Sequence, residues 1–196
     1  MSGVKLETIR ATLVGVAPLL MHNGRLANPT DPWTKRIKEV TSRKKKTDDD
    51  HLEIKRLEWF AGLYTDEKGK AIGLPSDVIL ATTIEGAKKN KNGTGAKAGI
   101  YCQKEFFPLE YDGPKDPSKL YEDERFSDYR GAKLQGRKVM RSRPRFPTWR
   151  LPIEITVDTG VMSEGDARQA LEQAGALVGI GDWRPRYGRF LVEFQA

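Results

Sequence analysis

The segment Gly179-Ile180-Gly181-Asp182-Trp183-Arg184-Pro185-Arg186-Tyr187-Gly188-Arg189-Phe190 combines the residue types that hold a polyanion. Glycines let backbone amides come close to a ligand, guanidinium groups grip phosphate through a planar fork, and aromatic rings offer faces on which bases stack. Gly179 also suits the C-cap of a preceding helix, but Arg184, Arg186 and Arg189 are not explained by capping. Trp183 and Tyr187 fit either base stacking or core packing, and their spacing does not separate the two.

A second concentration of charge lies downstream of the chain's middle. Between Tyr129 and Ile153 there is no Asp or Glu, while Arg130, Lys133, Arg137, Lys138, Arg141, Arg143, Arg145 and Arg150 all fall there. In an extended hairpin, arginines spaced by two project from one side and can follow successive phosphates, with Val139 and Phe146 packed beneath. A solvated basic hairpin without a partner is the plainer reading. Lys88, Lys89, Lys91 and Lys97, with Gly93 and Gly95, form a third cluster, read as a mobile basic loop that either grasps phosphate or is merely solvated. It lacks the Gly-Lys-Ser/Thr ending of a P-loop, which argues against ATP. Arg43 to Lys46 reads as a solvated loop.

His22 follows the first strand, where a histidine can act as a general base on a ribose 2′-OH. His51 falls in a predicted helix and local spacing pairs no second catalytic group with His22, so a hydrogen-bonded histidine, or backbone contact through His22, Asn23 and Arg25, competes with catalysis. Asp48, Asp49 and Asp50 resemble metal ligands, yet acids at a helix start are accounted for by capping and the helix dipole. No metal and no cofactor is expected. Cys102 reads as a small buried strand residue.

The elements that must carry these groups are legible from periodicity. Ile9, Ala11 and Leu13 alternate with polar residues as a strand, and Val14 and Val16 break the phase, which predicts a bulge or a twist near Gly15. Asp31-Pro32 opens a helix with Trp33, Ile37 and Val40, and Thr47 with Asp50 opens another that buries Ile54, Leu57 and Ala61. Leu63 to Ile72 reads as a small hairpin, and a helix begins at Pro75. Asp112 to Asp128 reads as turn-rich and irregular. Leu151 to Val157 alternates as a strand, Ser163 with Asp166 caps a helix with an apolar stripe from Ala167 to Val178, and Phe190 to Phe194 closes as a strand. This order predicts an α+β fold, a ferredoxin-like (RNA-recognition-motif-like) βαββαβ core in a single domain over 1–196. Insertions are expected at about 30–62, helical, and at about 129–148, a basic β-hairpin. The open face of its sheet is a candidate contact surface.

Composition sets the outer bounds. The 196 residues carry a net charge of +7 with 38% hydrophobic content, enough for a core and biased toward an anionic partner. One cysteine excludes an internal disulfide framework and any multi-thiolate zinc site, which fits a reducing interior, so a cytoplasmic location is expected. No apolar run is long enough to span a bilayer, so no membrane partner is expected.

The order of elements and the Gly179–Phe190 segment resemble the RAMP superfamily, particularly the backbone subunits of CRISPR effector complexes and related phage-borne proteins. The opening Leu74-Pro75-Ser76-Asp77 is similar to the family's helix after the first strand, and the basic hairpin from Lys133 to Arg145 to its projecting thumb. Only the Gly179–Phe190 loop has the grade of a motif; it has fewer glycines than the family pattern, and the chain is short for a CRISPR backbone subunit. The resemblance implies a modified RNA-recognition fold that polymerises along single-stranded nucleic acid.

Taken together, the residues lead us to expect a non-enzymatic protein that binds single-stranded DNA or RNA as a homo-oligomer or helical filament. Contacts are expected from His22, Arg25, Lys88, Lys89, Lys91, Lys97, Lys133, Arg137, Lys138, Arg141, Arg143, Arg145, Trp183, Arg184, Arg186, Tyr187 and Arg189. Two rivals remain at this point, a metal-independent RNA endonuclease using His22 and a protein-interaction module with basic surfaces.

Overall fold

Ile9, Ala11 and Leu13 bury one face of strand β1 (Leu6–Gly15) while Thr8 and Arg10 stay wet on the other, as the period of two requires. In the computed structural model, which describes residues 5–134 and 136–195, this strand lies inside a four-stranded antiparallel sheet. Its neighbours are β8 (Arg150–Asp158) and β9 (Phe190–Phe194), and β4 (Ile100–Tyr101) flanks β8, giving the order β4-β8-β1-β9. Pairing with β8 runs without interruption from Leu6↔Asp158 to Val14↔Arg150, and the expected irregularity falls just past Gly15, where Val16 N–H and Ala17 N–H both donate to the Arg189 carbonyl, at 2.9 and 3.3 Å, as in a bulge. Helices α3 (Ser76–Ala87) and α6 (Glu164–Gln173) pack on each other, and α6 also on β1 and β9. Their crossing is close because Gly86 has no side chain; a Cβ there would stand 2.1 Å from the Ala170 carbonyl oxygen. Buried Ile9, Leu13, Ile79, Leu171 and Phe190 form the core, each worth about 1.5–3 kcal/mol of burial.

The chain separates into two compact units. The first comprises Met1–Leu19, Thr65–Asp112 and Thr148–Ala196 and contains the four-stranded sheet. It also holds the small pair β3 (Gly73–Pro75) and β5 (Phe106–Pro108) and the short helix α4 (Gly93–Gly99). The bridge Thr65↔Ile72, with Asp66 N–H on the Ala71 carbonyl at 2.9 Å, closes the hairpin expected from Leu63 to Ile72. A short strand, β2 (Leu19–Leu20), falls where the chain leaves the first unit.

The second unit, Leu20–Tyr64 with Gly113–Pro147, brings together α1 (Pro32–Thr41), α2 (Asp48–Gly62), α5 (Pro117–Glu122) and the hairpin β6 (Ser127–Leu134)–β7 (Arg137–Phe146). Asp31 caps α1 by accepting from Trp33 N–H at 2.8 Å, and Thr47 with Asp50 forms the full capping box on α2. The sequence leads one to expect two insertions in a single domain; the helical and hairpin segments both fall in this unit, where α2 packs on β7. Trp59 of α2 is wholly buried and donates Nε1–H to the Phe126 carbonyl at 2.9 Å, and Phe126 meets Phe146 edge to face. The stretch expected to be irregular up to Asp128 contains α5, capped by Asp116, and a 3-10 turn at Glu124–Phe126.

Candidate nucleic-acid interface

Helix α6 ends in a wide turn over Ala174–Val178, closed by Gly179 N–H on the Ala174 carbonyl at 2.7 Å. Gly179 takes φ 77°, as a terminating glycine should, and Gly181 and Gly188 also have positive φ. Ile180 then plugs into the core with no exposure, and its N–H donates to the Gly188 carbonyl at 2.8 Å. Gly188 N–H in turn donates to the Pro18 carbonyl at 2.9 Å. No side chain fits at position 188: a Cβ would lie 1.7 Å from the Ile180 carbonyl oxygen. The loop is therefore fixed at both ends by backbone bonds, and its middle residues, 181–186, stand outward.

Trp183 has φ 56°, the left-handed region that costs a bulky L-residue about 1–2 kcal/mol. The indole is half-buried along an open groove of about 640 Å³, whose walls are Trp183, Arg184, Pro185, Gly181 and Asp182 from the loop, Leu177 and Val178 from the turn, Glu85 from α3 and Lys89 from the 3-10 turn that follows it. Arg184 Nη1 donates to the hydroxyl of buried Thr82 at 3.2 Å, and that hydroxyl donates to the Gly179 carbonyl at 3.2 Å, so the guanidinium is oriented by a buried α3 side chain. Lys88 pairs with Glu85 and holds its carboxyl below the ordinary range, with Arg184 and Lys89 adding to the effect. Lys89 and Arg184 line the groove together with Glu85 and Asp182, and Lys88, outside the lining, offsets the charge of Glu85 by pairing with it. The structure thus brings Lys88 and Lys89 together with the loop, two clusters that are far apart in the sequence.

The other candidates of this unit divide. Arg186 and Arg189 are exposed; Arg186 lies 6.0 Å from the Tyr187 ring centroid, and Arg189 Nε donates to the Pro185 carbonyl at 2.9 Å. Tyr187 is only 9% exposed and belongs to the packed base of the loop, which resolves its ambiguity toward core. Lys91 and Lys97 are exposed, but their segment is not the unpacked loop that was expected: Gly93–Gly99 forms α4 against α3, because alanine and glycine let it lie close and Ala96 is buried. The open face of the sheet is also spoken for. Arg10 pairs with Glu154 at 2.8 Å and Arg150 with Glu193 at 2.6 Å, so those charges are neutralised at home. Burial, with Asp77 adding to it, pushes the Cys102 thiol up to about 11, away from nucleophilic use at neutral pH.

In the second unit the arginine row is largely turned to structure. Arg143 is 6% exposed and faces Asp128 across the hairpin, and Arg130 pairs with Asp128 as well. Arg141 pairs with the carboxylate of Glu58 on α2, whose other oxygen accepts Ser142 N–H at 2.9 Å, and Arg145 Nη1 donates to the Arg125 carbonyl at 3.1 Å. Arg141 and Arg143 are thereby withdrawn from the expected phosphate row. Lys138 is exposed; the side chains of Lys133 and Arg137 lie outside the described residues. His22 is exposed and its carbonyl accepts the Tyr64 hydroxyl at 3.2 Å, while Arg25 is half-buried in a 3-10 turn capped by Asn23.

Sequence reasoning missed Thr82, Glu85 and Glu58. Thr82 and Glu58 give no signal until their partners, 97 and 84 residues away, are in place, whereas Glu85 pairs with Lys88 only three residues on. Among the described residues no cluster of three or more His, Cys, Asp or Glu side chains is placed to hold a metal ion, and no helix is long and apolar enough to cross a membrane. No protein-family model matches the chain, and no curated protein matches it.

Proposed function

We propose that this protein binds single-stranded nucleic acid without catalysing a reaction on it, and that copies assemble side by side along the strand. The observation that carries the reading is the groove in which Trp183, Arg184 and Lys89 converge: a ring held in a strained backbone beside two cations, one of them oriented by a buried hydroxyl. A π-face next to guanidinium and ammonium groups suits a base and its phosphate, and suits few other polyanions as well. Exposed Arg186 and Arg189 extend the positive surface along the same loop.

The strand order β4-β8-β1-β9, with α3 between β1 and β4 and α6 between β8 and β9, supports reading the first unit as a ferredoxin-like core. The same order and the glycine-bearing loop before the last strand support the proposed likeness to the RAMP superfamily, in which the β6–β7 hairpin would correspond to the thumb.

Fluorescence anisotropy of labelled oligothymidylate and oligouridylate tests the proposal. Affinity should fall steeply between about 50 and about 200 mM salt, and Arg184→Ala should lower the logarithmic salt slope by about 0.7 for the lost phosphate contact. Absence of binding to either oligonucleotide at about 50 mM salt refutes it.

A further inference from the structure

The alternation of β6 and β7 gives their hairpin two faces. Asp128 and Arg130 share one with their cross-strand partners Arg143 and Arg141, the ion-paired face described above. Tyr129 and Gly131 share the other with Ser142 and Met140. On this second face Tyr129 is 42% exposed and Met140 46% exposed. From α2, Lys55 sets its Nζ 5.2 Å from the Tyr129 ring centroid. The stem of exposed Lys138 lies across Gly131, where a Cβ would stand only 2.5 Å from Lys138 Cε. Absence of a side chain at 131 thus lets Lys138 cross the strand two places from the tyrosine.

We infer that Tyr129 is a nucleobase-stacking ring, with Lys55 and Lys138 as its phosphate contacts, forming a second single-strand contact carried by the helix–hairpin unit. The inference rests on the nucleic-acid reading above and moves the hairpin's contact from its arginine face to the opposite one. Charge complementarity selects the occupant. Two ammonium groups border an exposed ring and a thioether, so a ligand that offers anionic links between flat apolar faces is matched at every point. The arginines of the other face serve instead to hold the hairpin together and to α2.

Anisotropy titrations of the full chain with a labelled oligothymidylate and with an abasic oligonucleotide of equal length test this. Tyr129→Ala should weaken oligothymidylate binding about 5- to 150-fold, Tyr129→Phe should leave it within about twofold, and the abasic strand should bind wild type and Tyr129→Ala alike. Equal binding of oligothymidylate by wild type and Tyr129→Ala overturns the stacking role while leaving the proposed function intact, as does an equal loss on the abasic strand. If wild type binds neither strand, the proposed function falls first. Should Tyr129→Ala not fold, Tyr129→Leu keeps the apolar bulk without the π-face and should show the same selective loss; binding equal to wild type by that variant overturns the inference.

Discussion

Replacing Glu58 tests whether the basic hairpin is anchored or free. Its carboxylate, 4% exposed, accepts the N–H of Ser142, itself 3% exposed, and pairs with Arg141, whose side chain is 35% exposed. In Glu58→Ala the buried Ser142 N–H is left without an acceptor, which costs about 1–3 kcal/mol. Losing an ion pair to a partly hydrated arginine adds no more than about 1 kcal/mol, because water screens the attraction. The sum is about 1–4 kcal/mol, or a fall in Tm of roughly 2–16 °C for a chain of this size. Glu58→Gln keeps an oxygen for Ser142 and loses only the charge, so it should cost about 1 kcal/mol or less. Urea denaturation with near-UV circular dichroism measures both. On the proposed function, Glu58→Gln also frees Arg141 for phosphate and should raise the salt slope of oligonucleotide binding by about 0.7. A Glu58→Ala protein within about 0.5 kcal/mol of wild type would refute the anchoring role, and an unchanged salt slope in Glu58→Gln would refute the idea that Arg141 is held back from the ligand.

Gly188→Ala should be far more damaging than Gly69→Ala, although both glycines have positive φ. At Gly69 nothing lies within 4 Å and the cost is the left-handed backbone alone, about 1–2 kcal/mol, whereas the contact at Gly188 adds about 1–3 kcal/mol of overpacking. Equal stability of the two variants in denaturant titrations would contradict the packing assigned to the loop. Acid should erase the contribution of Asp50. The Thr47 backbone N–H and then Arg43 hold its carboxyl below the ordinary value of 3.8, so the folded state gains stability that is present above that value and is lost as pH falls through the lowered one. The stability gap between wild type and Asp50→Asn, measured at neutral pH and at about pH 3, should therefore shrink on acidification, and a gap independent of pH would count against the capping box.

Local signals were legible and long-range ones were not. Asp31, Thr47 with Asp50, and Ser163 act within three residues of themselves, and each caps the helix that the sequence pattern assigns to it. The hairpin and its extent are readable because strand period and turn chemistry are also local. What the sequence conceals is the fate of the arginines. The acid-free run begins at Tyr129, one residue after Asp128, and hairpin register places that single carboxylate opposite Arg143 and beside Arg130. Glu58 reaches Arg141 from a helix eighty-three residues away, and no periodicity announces it. The groove is partly legible, since Lys89, Trp183 and Arg184 are singled out by residue type, but their meeting depends on how α3 and α6 cross. The α4 segment was misread because a glycine-rich stretch signals a loop in isolation and a close-packing helix when a neighbour is at hand.

The twin backbone latches at Gly188, one to Ile180 and one to Pro18, have a thermodynamic consequence. A cation-bearing loop that must be frozen by its partner gives up part of the attraction as lost chain entropy. Here the main chain from Gly179 to Gly188 is tied at both ends in the folded protein, so on the proposed function association need only still the tips of Arg184, Arg186 and Lys89. On that reading, encounter leads to capture without a slow rearrangement step.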